Sequence, residues 1–155
     1  MAADLPVLGW KEHVWLPDWD LRLRGKLDTG ARSSALHVAS YEELTVGQDP
    51  VTGDPTTLVR FDVVLGTRSR PEHHPVEATV VGHKVVRDTG ARAERRPVVR
   101  TRIVCGPVDT TAEITLTDRS GMNFRMLLGR LTLERECLVD PAHGYLVTGK
   151  RRRRR

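Results

Sequence analysis

Asp28-Thr29-Gly30-Ala31 is the segment of this sequence best equipped for chemistry. A carboxylate followed by a hydroxyl and a glycine suits hydrolysis of a peptide bond by paired acids. Two carboxylates close enough to share one proton divide the work: the ionised one activates water, and the protonated one polarises the carbonyl. Such a pair titrates as a unit. Thr29 brings a hydroxyl that can tie two loops together, and Gly30 lets backbones approach closely. Asp-Thr-Gly is also good turn chemistry, so the tetrapeptide alone does not decide the function.

Other catalytic and ligand-binding patterns are missing from the chain. None of the six histidines (His13, His37, His73, His74, His83, His143) stands in H-E-x-x-H spacing, and Cys105 and Cys137 are far apart. No G-x-x-x-x-G-K-[ST] phosphate loop occurs. The expectation is no metal, no cofactor, histidines that are solvated or hydrogen-bonded, and thiols that act as small buried hydrophobes.

The elements that must position Asp28 are strands. Leu21, Leu23 and Leu27 alternate with Arg22, Arg24 and Lys26, and Val59, Phe61, Val63 and Leu65 alternate with Arg60 and Asp62. The same period of two runs through Val76, Ala78 and Val80, through Val99, Thr101 and Ile103, and through Ala112, Ile114 and Leu116. Turn formers separate these runs at 48–55, Arg70-Pro71, Val81-Gly82 and Cys105-Gly106-Pro107. Many short strands with frequent turns predict a mainly β protein closed into a barrel. One short helix is expected from Arg130 to about Glu136, ahead of a final strand pair at Leu138-Val139 and Tyr145-Leu146-Val147. Residues 66–75 read as a mobile polar loop. Trp10, Trp15 and Trp19 could line a binding groove, but the reading favoured here is core or interface anchors.

At 155 residues the chain is one domain in size, expected at 1–149, followed by a disordered basic tail at 150–155. Six of its 25 Lys and Arg residues are Lys150 to Arg155, so residues 1–149 carry 19 cations against 20 acids. The basicity belongs to the tail, which would touch polyphosphate without sequence preference. No apolar run approaches the ~20 residues of a membrane span, and no secretory signal is visible at the N-terminus. A cytoplasmic location is the expectation.

A second segment gives Asp28-Thr29-Gly30-Ala31 a context: Met126-Leu127-Leu128-Gly129-Arg130, just before the short helix. The order of strand, Asp-Thr-Gly-Ala, middle hairpin, two apolar residues with Gly-Arg, helix and final strand resembles the retropepsin-like aspartic proteases. The resemblance is closer to a bacterial branch labelled ATP-dependent zinc proteases and linked to an ATP-grasp ligase that adds glutamates to proteins. It is carried by 9–12, 26–37, 94–101, 116–119, 124–130 and 138–141. Neither the zinc nor the ATP of that label has residues to support it here.

The resemblance implies Asp28 as the catalytic carboxylate, Thr29 as the residue interlocking two active-site loops, and Gly30 and Ala31 lining the cleft. It implies Leu127, Leu128 and Gly129 as an apolar layer behind the catalytic loop. It also implies a homodimer, because each chain supplies one catalytic Asp. Retroviral enzymes often carry an acid directly after the Ala. Here that position is Arg32, so Arg130 is expected to pair with Asp118 or Asp140.

Asp88-Thr89-Gly90-Ala91-Arg92 repeats the first pentapeptide. One reading makes Asp28 and Asp88 a dyad within one chain. The other makes 88–92 the polar tip of a hairpin, since Asp88 leads into Ala93-Glu94-Arg95-Arg96-Pro97 rather than an apolar strand. The second is favoured, with Arg95 and Arg96 on a solvated face or against an acidic substrate.

Two functions of different class follow. One is an aspartic endopeptidase acting on a peptide or protein substrate as a homodimer. The other is a non-catalytic module that keeps the fold and uses its groove and its Arg tail to hold an acidic protein or RNA.

Overall fold

The computed structural model describes residues 4–87, 93–118 and 123–149. The repeated pentapeptide at 88–92 and the basic tail at 150–155 lie outside the described residues. The chain is mostly β, with a closed six-stranded barrel and one short helix, as the alternation predicts. The barrel strands are β2 (Lys11–Leu16), β3 (Leu21–Leu27), β4 (Ser34–His37), β8 (Ala93–Cys105), β9 (Val108–Thr117) and β10 (Met126–Leu128). They pair in the order β2-β3-β10-β4-β9-β8, and Trp15 opposite Val104 returns β8 to β2. The remaining elements are β1 (Val7–Gly9), β5 (Ser40–Gln48), β6 (Pro55–Gly66), β7 (Pro71–Arg87), β11 (Leu138–Asp140) and α1 (Arg130–Leu133).

Contacts divide the chain into two compact units. The first holds Met1–Ala35, Thr101–Ala112 and Phe124–Arg155. In it β2 and β3 form an antiparallel hairpin from Lys11 opposite Lys26 to Leu16 opposite Leu21, turned by a 3-10 segment at Pro17–Trp19 and a left-handed Asp20. Asp18 in that turn accepts bonds from the Arg102 N–H and the Thr101 hydroxyl, which hold its carboxyl below the usual carboxylate range. β10 lies parallel to β3, Leu128 beside Leu27, and β11 lies parallel to β1. The inward rows Val14, Leu16, Leu21, Leu23 and Leu27 meet Ile103, Cys105, Met126, Leu128 and Leu133 in a buried core. Each fully buried aliphatic side chain there contributes about 1.5–3 kcal/mol. Cys105 and Cys137 are free and buried, as expected, and burial pushes the Cys105 thiol up to about 12.

The second unit holds Leu36–Arg100 and Glu113–Asn123. Here β5, β6 and β7 form a meander, with Val59, Phe61 and Val63 buried and Val76, Ala78 and Val80 half-buried as the alternation predicts.

Four local expectations are corrected. Residues 66–75 are not a loop: a tight turn at 67–70, closed by reciprocal bonds between Thr67 and Arg70, joins β6 directly to β7. The apolar run of β6 supplies a ladder that Pro71 to Pro75 simply continue, with Pro71 at the first strand position, where a missing N–H costs least. Val81-Gly82 is a bulge rather than a turn, since the register shifts between Val80 and Gly82 while β7 runs on to Arg87. The helix stops at Leu133, short of Glu136, before a left-handed Arg135. Tyr145-Leu146-Val147 forms no strand: Tyr145 N–H donates to Lys11 O at 2.8 Å, and the carboxylate of Glu12 takes the amides that follow. That side chain is fully buried and accepts bonds from Gly9 N (2.7 Å), Leu146 N (3.0 Å), Thr148 N (3.1 Å) and Thr148 Oγ1 (2.7 Å).

Candidate active site

The end of β3 delivers Asp28. Leu27 N–H donates to Trp10 O at 2.8 Å and Asp28 N–H to Leu128 O at 2.8 Å, so the strand is gripped on both sides as it ends. The chain then turns, Ala31 N–H reaching Asp28 O at 3.2 Å. Gly30 N–H donates to Asp28 Oδ1 at 3.0 Å, which orients the half-buried carboxyl group. A Cβ on Gly30 would stand 3.1 Å from that same oxygen, so glycine leaves the turn room to close. Lys26, two residues earlier on the same strand face, places Nζ 4.0 Å from Asp28 Oδ2.

The downstream segment locks this loop from behind. Arg130 N–H donates to Ala31 O at 2.8 Å and Leu131 N–H to Arg32 O at 3.0 Å. Gly129 passes so close to the loop that a Cβ would stand 2.5 Å from Ser33 O and 2.8 Å from Ser33 N. Its N–H donates to Ser34 Oγ at 3.1 Å, and Ser34 Oγ shares a 2.6 Å bond with Thr132 Oγ1, both residues buried.

All eight residues singled out from the sequence therefore fall in one cluster: Asp28, Thr29, Gly30 and Ala31 on the loop, and Leu127, Leu128, Gly129 and Arg130 behind it. Leu128 and Gly129 are buried, while Leu127 is half-exposed beside Lys26. Among the described residues Arg130 forms no ion pair, so the one expected for it is not seen. Its guanidinium donates instead to the carbonyls of Thr29 (3.1 Å) and Gly30 (3.2 Å), clamping the Asp28 turn. Asp140 is occupied by Ala142 N–H and His143 Nδ1, both at 2.8 Å, and the Ala142 bond is the main cause holding its carboxyl below the usual range.

Three contributors escaped the motif reading: Lys26, Ser34 and Thr132. Ser34 had a signal, since it shares the inward register of β4 with Leu36, and a hydroxyl facing a core needs a partner. Glu12 carried the same signal beside Val14 and Leu16. The three tryptophans are half-exposed rather than core residues. Arg95 and Arg96 are engaged locally, with His83 Nδ1 and Glu94 respectively. Histidines His73, His83 and His143 each take one carboxylate, from Asp62, Glu43 and Asp140. Among the described residues no group of three or more His, Cys, Asp and Glu side chains is arranged to hold a metal ion, and no helix is long and apolar enough to cross a membrane.

An oriented, partly exposed carboxylate such as that of Asp28 can take a proton from water. The complementary acid must come from a second carboxylate.

Comparison with known proteins gives this loop a family. A protein of unknown function from Legionella pneumophila matches in crystal structure with a TM-score of 0.71 and 30% identity, over 93% of this chain and 99% of that one. A "Probable alpha-L-glutamate ligase" of Parasynechococcus marenigrum is 32% identical over 136 residues, which is 87% of this chain and 28% of that protein. A protein of the same name from Shewanella pealeana is 28% identical over 97% of this chain and 31% of its own length. The chain thus spans less than a third of these curated relatives. Residues 7–150 match the family described as "RimB-like: Retropepsin-like aspartic endopeptidase RimB". The chain belongs to the RimB-like family of retropepsin-like aspartic endopeptidases.

Proposed function

We propose that the protein is an aspartic endopeptidase in which Asp28 of two identical chains forms the catalytic dyad. The observation that carries this is the Asp28 turn: a half-exposed carboxyl oriented by Gly30 N–H, on a loop whose Thr29 and Gly30 carbonyls accept from the Arg130 guanidinium. Rigid support of that kind is what a proton-sharing pair demands, since a small displacement separates the two acids. In the dyad the ionised Asp28 takes a proton from water as the oxygen attacks the scissile carbonyl, and its protonated counterpart donates to the carbonyl oxygen. The proton then passes to the leaving amine. Thr29 and Gly30 serve through their backbones, and the mechanism calls on no metal.

The ligase name of the relatives suggests the substrate. A hydrolase that works beside a glutamate ligase meets chains bearing added glutamates, and Lys26 stands where it can receive an acidic side chain next to Asp28.

The alternative is a retropepsin-fold module that binds without cleaving, favoured by the fact that the matched relatives are named as ligases. Incubation with a peptide library across a range of pH separates the two. Cleavage by the wild type that Asp28→Asn abolishes supports the peptidase, with specific activity falling on dilution as the dimer dissociates. Identical cleavage by both proteins, or none by either, refutes it.

A further inference from the structure

The outer face of the β2–β3 hairpin carries charge that its own unit leaves uncompensated. The side chains directed away from the core are Lys11, His13 and Trp15 on β2 and Arg22, Arg24 and Lys26 on β3. They stand opposite one another as Lys11 to Lys26, His13 to Arg24 and Trp15 to Arg22. No acid occupies this face of the two strands. Lys26 has Asp28 at 4.0 Å, but among the described residues Lys11, Arg22 and Arg24 form no ion pair. Lys11 opposite Lys26 sets two cations against each other across the sheet, a repulsion that an anionic partner would relieve.

The three unpaired cations rest on aromatic rings. Lys11 Nζ lies 4.7 Å from the ring centre of Trp10 and 5.5 Å from that of Tyr145, Arg22 lies 5.0 Å from Trp15, and Arg24 lies 5.7 Å from Phe124. Tyr145 also stacks on His13 at 4.8 Å and 27°. Beside them a cavity of about 500 Å³ is lined by His13, Trp15, Arg22, Val104, Val147 and Thr148. Gly144 packs against the stem of Lys11, where a Cβ would meet Lys11 Cε at 2.6 Å.

We infer that this face binds single-stranded nucleic acid, with a base entering the cavity at Trp15 and the phosphates following Arg22, Arg24 and Lys11. Cations alternate along β3 at about 7 Å, the two-residue repeat of a strand, so they form a track rather than a point. Aromatic rings interleaved with basic side chains are how unpaired bases are held without sequence readout. An acidic polypeptide would engage the cations and leave the rings and the cavity unused. A duplex keeps its bases stacked and out of reach of both. The inference does not depend on cleavage by Asp28.

The test uses the full-length chain with Lys150–Arg155 changed to serine, so that the tail's own phosphate contacts do not mask the hairpin. Fluorescence anisotropy follows labelled single strands of about 12 nucleotides, RNA and DNA of one sequence, over a range of salt. Binding of either supports the inference, and the ratio identifies the preferred backbone. Three phosphate contacts give a slope of about −2 in log K against log salt, and the Arg22→Ala/Arg24→Ala double variant should lower its magnitude by about 1.4. Trp15→Leu should weaken binding about 5- to 100-fold at unchanged slope, while Trp15→Phe, which keeps a ring, retains most of the affinity. Arg100→Ala, which breaks a pair with Glu113 in the other unit, should change nothing. Circular dichroism confirms folding, and Arg22→Gln/Arg24→Gln replaces any alanine variant that fails it. The inference is overturned by absent binding, by a slope indifferent to the double variant, by Trp15→Leu binding as wild type, or by an acidic peptide of similar length binding as tightly.

Discussion

Ser34→Ala tests whether the support behind the Asp28 loop is built as described. Ser34 Oγ accepts from Gly129 N–H at 3.1 Å and shares a 2.6 Å bond with Thr132 Oγ1, all three residues being buried. Alanine removes the oxygen and leaves two buried polar groups, the Gly129 amide and the Thr132 hydroxyl, without that partner. An orphaned buried group costs about 1–3 kcal/mol, so the loss should be near 3 kcal/mol. For a chain of this length, each kcal/mol lowers Tm by about 2–4 °C, which gives a fall of about 6–12 °C. Urea denaturation should show a lower midpoint at an unchanged slope, since the exposed surface is the same. Adding Thr132→Val removes the orphaned hydroxyl, so the double variant should be more stable than the sum of the single losses predicts, by about 1 kcal/mol. A Ser34→Ala protein within about 0.5 kcal/mol of wild type would refute the reasoning, because that is the scale of an ordinary surface substitution.

Glu12→Gln keeps one acceptor oxygen but turns the other into a donor facing backbone N–H groups; about 3–5 kcal/mol of stability should be lost, with hydrogen exchange at Leu146 and Thr148 accelerating first. Asp18 and Asp140 are both held below the usual carboxylate value of 3.8, so their contribution is complete above that value and is lost as pH falls through their lowered values in the fold. Urea midpoints should therefore be level down to about pH 5 and decline below about pH 4, less steeply in Asp18→Asn and Asp140→Asn than in wild type.

The arrangement around Asp28 explains how a loop after a strand can be held rigid. Backbone bonds tie it to β10 and α1, Arg130 holds two of its carbonyls, and a glycine without room for a side chain lets the two segments touch. Each of these features acts on the backbone, and the carboxyl group, oriented by Gly30 N–H, stays half-exposed above the fixed loop.

Much of this could be read from the chain alone. Alternation over 21–27, 59–65, 99–103 and 112–116 states which side chains face inward, because the two faces of a strand differ locally and residue by residue. The types and spacing in 28–31 and 126–130 marked the two segments that meet. The tertiary structure alone decided the partners of groups that any of several distant atoms could have satisfied. Arg130 had acids within reach of expectation and took carbonyls, and Ser34 found Thr132 98 positions away. Glu12 bonds the amides of 146–148, where the sequence had suggested a strand over 145–147. The turn at 67–70 and the bulge at Gly82 likewise depend on a neighbouring ladder. Burial preference is a property of each residue, whereas a hydrogen-bond partner is a property of which backbone the fold brings alongside it.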